Sequence, residues 1–219
     1  MIPVTDMTLD ELREALAPHL ASNAAFDGWG AQAVDAAADG IGADRDVARL
    51  AVPGKPVDMI DLWFAEIDRR MAAALPPETL AAMKIREKIT ALVEARLEAL
   101  APHREALRRA VAILAMPQNA SRAARLSWRS ADAMWRLAGD SATDYNHYTK
   151  RAMLGGIYAA TIAVFLHDES AGQAETRAFL ARRIDNIMDF EKAKARFVGR
   201  GDHRFSLSRF VGRLRYHAR

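Results

Sequence analysis

Apolar residues recur along this chain at helical spacing, and no run alternates as a strand would. Leu9, Leu12, Leu16 and Leu20 follow a capping-box pattern, Thr8 with Glu11 three residues on. Pro18 is expected to kink or end that first helix. Phe26, Asp27, Gly28, Trp29 and Gly30 read as a turn whose two aromatics pack on the core. Short helices are predicted over 31–38 and 44–51, stopped by Gly40-Ile41-Gly42 and Pro53-Gly54-Lys55-Pro56. A longer one over 57–74 carries Ile60, Trp63, Phe64, Ile67 and Met71 on one face and ends at Pro76-Pro77. Further helical patterns occupy 78–100, 103–116, a stretch from an Asn119 cap to Leu137, and 174–195.

The stretch 152–166 stands apart, with fifteen residues and no formal charge. Its apolar positions fall on every side of a helix, which predicts burial at the centre of a protein or insertion in a bilayer. At about 1.5 Å per residue it spans roughly 22 Å, short of the roughly 30 Å hydrocarbon core of a membrane. The expectation is therefore a central, buried helix. Gly155-Gly156 within it points to close backbone approach or cavity space, since each Gly costs roughly 1 kcal/mol against Ala. Polar and aromatic residues, Asp144 to Tyr148 with Lys150 and Arg151, crowd its entrance.

Composition narrows the chemistry. Apolar residues make up 51% of the chain, ample for a core, and the absence of cysteine excludes disulfides, thiol catalysis and cysteine metal sites. The six histidines are scattered, with neither a His-x-x-x-His pair nor the Glu-x-x-His of helical di-iron sites, so no metal or cofactor is expected. No phosphate-binding glycine loop or Gly-x-Ser-x-Gly nucleophile occurs, and nothing argues for an enzyme. Residues 1–6 lack a basic region followed by an apolar run, so no secretory signal is expected and cytoplasmic residence is the default.

Charge is distributed unevenly. Residues 192–219 hold nine Lys or Arg against Asp202 alone, a net of +8, whereas residues 1–191 carry 22 basic and 27 acidic residues, a net of −5. Within the tail Phe205, Leu207, Phe210, Val211 and Leu214 interleave with arginines, the form of an amphipathic helix lying on an anionic membrane surface. Near the other terminus, three short helices before a longer one resemble the helix-turn-helix head of TetR-type regulators. Between Asp27 and Asp61, however, seven Asp face Arg45, Arg49 and Lys55, a net of −4, where DNA binding needs cations to replace phosphate counterions. No nucleic-acid partner is expected; a TetR-type ligand-responsive repressor is the alternative reading.

The block Trp135-Arg136-Leu137-Ala138-Gly139-Asp140, then Asp144 to Arg151, then Phe179 to Ile184, resembles the Coq-nine family of accessory lipid-binding proteins in ubiquinone biosynthesis. Ala24 to Trp29 follows the family pattern as well, and His147 falls where the family usually has Trp. The resemblance implies an all-α, TetR-like bundle of about nine to ten helices with a C-terminal amphipathic helix. Its parts would be a head over 1–75, a lipid-binding domain over 76–195 and a membrane-binding tail over 196–219. It implies a homodimer, peripheral to the inner membrane, holding an isoprenoid, quinone lipid or phospholipid. That protein would present quinone intermediates to the di-iron demethoxyubiquinone hydroxylase. Arg151 would meet a lipid headgroup, and Met153, Ile157, Tyr158 and Phe165 would line the apolar site. Met134, Trp135, Leu137, Asp144, His147 and Tyr148 would form the docking surface. Phe205, Leu207, Phe210, Val211 and Leu214 would enter the membrane interface.

Overall fold

The computed structural model describes residues 3–52, 54–140 and 145–199, with side chains to residue 186 except those of 145 and 146. The tail residues Phe205, Leu207, Phe210, Val211 and Leu214, and Asp144 of the docking set, lie outside the described residues. Ten α-helices and no strand occur among those described.

Helix α1 (Leu9–Asp27) opens with the expected capping box: Glu11 N–H donates to Thr8 Oγ1 at 3.3 Å and Thr8 N–H to Glu11 Oε2 at 2.8 Å. Helix α1 does not end at Pro18 but runs on to Asp27. A mid-helix proline costs about 3 kcal/mol, but fully burying a Leu gains about 1.5–3 kcal/mol. Leu12, Leu16 and Leu20, with Ala17, Ala21 and Ala24, are all buried on α1 and outweigh the proline. The two aromatics expected in one turn part company, Phe26 in the last turn of α1 and Trp29 beyond it. Trp29 is buried and its Nε1–H donates to the Ala106 carbonyl at 3.1 Å, whereas Phe26 stays 83% exposed and does not join the core.

Helices α2 (Ala31–Ile41) and α3 (Arg45–Ala51) are short because Gly42, at φ +73°, ends the first and the Asp44 carboxylate caps the second. Helix α4 (Pro56–Ala74) is the hub. It buries Met59, Ile60, Trp63, Phe64, Ile67 and Met71 and packs against α1, α6 (Ile85–Leu100), α7 (Arg104–Leu114) and α8 (Ala120–Leu137). The single helix expected over 78–100 is two, α5 (Pro77–Ala81) and α6, because Glu87 Oε2 accepts the Lys84 N–H at 2.8 Å and starts a new helix. Asn119 does not cap α8 with its side chain; its amide donates instead to the Ile113 carbonyl at the end of α7, at 2.8 Å.

The charge-free stretch lies in α9 (Tyr145–Phe165), and it is not the buried centre. Leu154, Tyr158, Thr161, Ile162, Phe165 and Leu166 are buried, while Ala152, Gly156, Ala159, Ala160 and Ala163 are exposed. Small uncharged residues make a solvent-facing side read as apolar, so periodicity alone could not reveal which face was covered. No helix among the described residues is long and apolar enough to cross a membrane.

The first turn of helix α10 (Ala174–Gly199) is held by the Asp168 carboxylate. That carboxylate accepts Ser170 N–H at 2.9 Å and Thr176 N–H and Oγ1–H at 2.8 and 2.6 Å, with the Ser170 hydroxyl as a fourth donor. These hydrogen bonds, first those of the Ser170 and Thr176 hydroxyls, hold its pKa far below the usual carboxylate range. A depressed folded pKa means this stabilisation is fully present above pH 4 or so and fades as pH falls further. Asp168→Ala should therefore lower the melting temperature at pH 7 by about 2–4 °C. Thermal unfolding followed by circular dichroism should show that gap narrowing as the pH falls below about 4.

A candidate ligand cavity and its surroundings

Where α4, α7, α8 and α9 meet, their side chains leave a cavity of about 250 Å³. Phe64, Leu126, Ser130, Tyr158 and Ile162 form its buried floor, and the exposed Ala115, Ala159 and Ala163 its rim. Gly155 lies at the α8–α9 contact beside it. A Cβ there would stand 2.7 Å from Ser127 Oγ, closer than side chains tolerate. Gly156, one residue on, is exposed with open space around it. One glycine of the pair thus serves close approach and the other has no such role.

Of the residues expected to line a lipid site, Tyr158 lines this cavity. Met153 and Ile157 are half-buried outside the cavity wall, and Phe165 is buried beneath the Arg104 guanidinium, whose Cζ is 4.5 Å from the ring centroid. Phe64, Val111, Leu114 and Leu126 were missed. Each looked like ordinary core on its own helix, and only the packing of four helices leaves space between them.

Arg151 is not a free cation at the cavity mouth. It is 1% exposed; its Nε–H donates to Asp132 Oδ1 at 2.6 Å and Nη1 to Asp140 Oδ2 at 3.0 Å and the His147 carbonyl at 3.1 Å. Lys150 Nζ also binds Asp140 at 2.8 Å. Burial pushes the Asp140 carboxyl up, but the hydrogen bonds from Lys150 and Arg151 outweigh it and hold the pKa below the ordinary range. The network clamps the end of α8 to the start of α9.

The expected docking set separates as well. Met134 and Trp135 are buried, and Trp135 Nε1–H donates to the Lys150 carbonyl at 3.1 Å. Neither presents a surface, and Leu137 is half-buried against the core. At the surface His147 and the 61% exposed Tyr148 stand beside Trp128, which the sequence reading passed over. Trp128 lies 6.4 Å from the His147 ring and 6.0 Å from Tyr148, centroid to centroid. Seven residues separate Trp128 from Trp135, one helix face; tertiary packing alone puts one ring outside and the other inside.

The head is electrostatically closed. Arg45 holds Asp39 in a two-pronged pair at 2.8 and 2.5 Å, and Arg49 holds Asp35 at 2.7 and 2.6 Å. These hydrogen bonds lower both carboxyls and raise both guanidinium pKa values. The two arginines of the third helix thus face the protein's own carboxylates. Among the described residues no three His, Asp or Glu are grouped to hold a metal ion.

Comparison with solved structures gives the fold. The TetR transcriptional regulator from Nitrosomonas europaea superposes with a TM-score of 0.64 over 80% of this chain and 97% of its own, at 24% identity. The ubiquinone biosynthesis protein COQ9, mitochondrial, of Homo sapiens is 34% identical over 170 residues, covering 74% of this chain. Its counterpart in Rattus norvegicus is 43% identical over 97 residues, 44% of this chain. The matches span 53% and 31% of those two proteins, so the chain corresponds to about half of the human relative. The COQ9 family model matches residues 120–191, which contain α8, the clamp at Asp132, Asp140 and Arg151, and α9. With 74% of its length matched to the human relative, and on a TetR-like all-helical fold, the chain is a member of the COQ9 family.

Proposed function

We propose that the chain is an accessory protein of ubiquinone biosynthesis that binds an isoprenoid, quinone lipid or phospholipid and presents quinone intermediates to the demethoxyubiquinone hydroxylase. The observation that carries lipid binding is the cavity of about 250 Å³, whose lining is apolar but for two serines. Relatives named for ubiquinone biosynthesis support the pathway. The body over 76–195 is the lipid-binding part, with Phe64 of α4 completing the cavity, and the rest of the head over 1–75 is a retained scaffold. On this reading the exposed Tyr148, with the half-buried Trp128 and His147 beside it, docks the hydroxylase, as aromatics do at interface centres. The uncovered small-residue face of α9 suits a second copy of the chain, and the tail of net +8 suits an anionic membrane. We place the protein in the cytoplasm, peripheral to the inner membrane; the relatives' names say mitochondrial of those proteins. The protein works by holding and handing over, not by catalysing.

Organic extraction of the purified protein followed by mass spectrometry should recover a lipid. Ala163→Trp, at the exposed rim, should cut the recovered lipid about tenfold by filling apolar space worth about 25 cal/mol per Å². A protein that emerges empty and takes up no ubiquinone analogue ends the reading.

A further inference from the structure

Helix α10 crosses α6 antiparallel: Arg177 meets Glu98 near the end of α6 at 3.6 Å, and Arg86 meets Asp185 near its start at 2.6 Å. Beyond Asp185, α10 runs on to Gly199, roughly 21 Å past that crossing at about 1.5 Å per residue. On the same side, the α5–α6 junction and the first half of α6 wall a groove of about 600 Å³, formed by Met83, Arg86, Glu87, Thr90, Ala91 and Glu94. Asp185 neutralises Arg86, and Glu87 accepts the backbone N–H of Lys84. Glu94, half-buried in the wall, pairs with no cation among the described residues. A carboxylate drawn part-way out of water costs free energy until a cation meets it. The groove is thus amphipathic and short of positive charge.

We propose that the segment 204–219 of this same chain is the occupant, folding back along α10 into the groove whenever no membrane holds it. Three features of the chain choose that segment. It carries five arginines and no acid, the complement of Glu87 and Glu94. Its Leu207, Phe210, Val211 and Leu214 recur at i, i+3, i+4 and i+7, the spacing with which a helix anchors in a groove, here against Met83 and Ala91. As a helix it would cover roughly 24 Å, so a reversal at the helix-stopping Gly201 returns it over the roughly 21 Å to the level of Arg86. The groove is then the resting place of the tail, and an anionic bilayer competes for the same arginines and the same apolar stripe. That competition rests on the membrane reading of the tail; the groove contact does not.

The chain holds no cysteine, which suits it to disulfide trapping. The test compares the full chain carrying Thr90→Cys and Phe210→Cys with a control carrying Leu50→Cys, at an exposed position of the head, and Phe210→Cys. The groove pair should oxidise within one chain about tenfold faster than the control, because docking raises the local concentration of one thiol at the other. Glu94→Arg in the groove, or Arg213→Glu in the tail, should slow that oxidation about two- to fivefold, the worth of one ion pair. Vesicles of phosphatidylglycerol should suppress it, and vesicles of phosphatidylcholine should not. Glu94→Arg alone should bind the phosphatidylglycerol vesicles about two- to fivefold more tightly in sedimentation, because the groove no longer holds its tail. Equal rates for the two cysteine pairs, a disulfide that joins two chains instead of closing one, or rates indifferent to both charge reversals would each overturn the groove contact. Trapping that proceeds as expected but ignores phosphatidylglycerol upholds the contact and overturns the membrane reading of the tail.

Discussion

Arg151→Met is expected to destabilise the folded chain by about 3–5 kcal/mol, the usual cost of removing one partner from a buried ion pair. The Arg151 side chain is 2% exposed and serves two carboxylates, of which Asp140 is 5% and Asp132 18% exposed. Without the guanidinium, Asp140 keeps Lys150 and, among the described residues, Asp132 keeps only the surface residue Arg136. Urea denaturation read at the tryptophans gives the number. Adding Asp132→Asn and Asp140→Asn to the same variant should recover part of the loss, because no carboxylate is then stranded. Had Arg151 met a lipid headgroup, its removal would lower lipid retention with stability intact. A change in stability below about 1 kcal/mol, as for an exposed ion pair, would refute the clamp.

A loss of similar size, about 3–5 kcal/mol, is expected for Asp68→Ala. It would leave the Arg96 guanidinium, 0% exposed between α4 and α9, without the one carboxylate that pairs with it among the described residues. Arg96→Met in the same chain should restore most of the stability, since a well-packed apolar pair often equals or betters a buried ionic one. The exposed pair between Arg70 and Glu66 serves as the comparison, and Arg70→Ala there should cost no more than about 1 kcal/mol. An Asp68→Ala effect no larger than that control would mean that water, not Asp68, satisfies Arg96.

The two arginines illustrate why charged residues in helices are hard to read from a sequence. Arg151 opens a charge-free run and looks like a cation at a cavity mouth; Arg96 sits in α6 among Glu94, Glu98 and leucines and looks solvated. Both are buried because carboxylates distant in sequence, Asp132 and Asp140 for one and Asp68 for the other, come to meet them. Pairing across 28 residues, as between Asp68 and Arg96, has no local signature.

The sequence by itself determined the helical class, most helix positions, the capping box at Thr8 and the acidic character of the head. All of these are local: periodicity, caps, breakers and formal charge act within a few residues. It also carried the family, because the block from Trp135 to Arg151 is specific in order as well as composition. The tertiary structure alone decided which face of α9 is covered, that α4 and not α9 is the hub, and that Trp135 is inside while Trp128 is out. It alone made the cavity, since a gap among α4, α7, α8 and α9 belongs to no single helix. The physical reason is common to these cases. Burial is a property of what packs against a residue, and for Ala, Gly, Trp and Arg the residue type leaves that choice open.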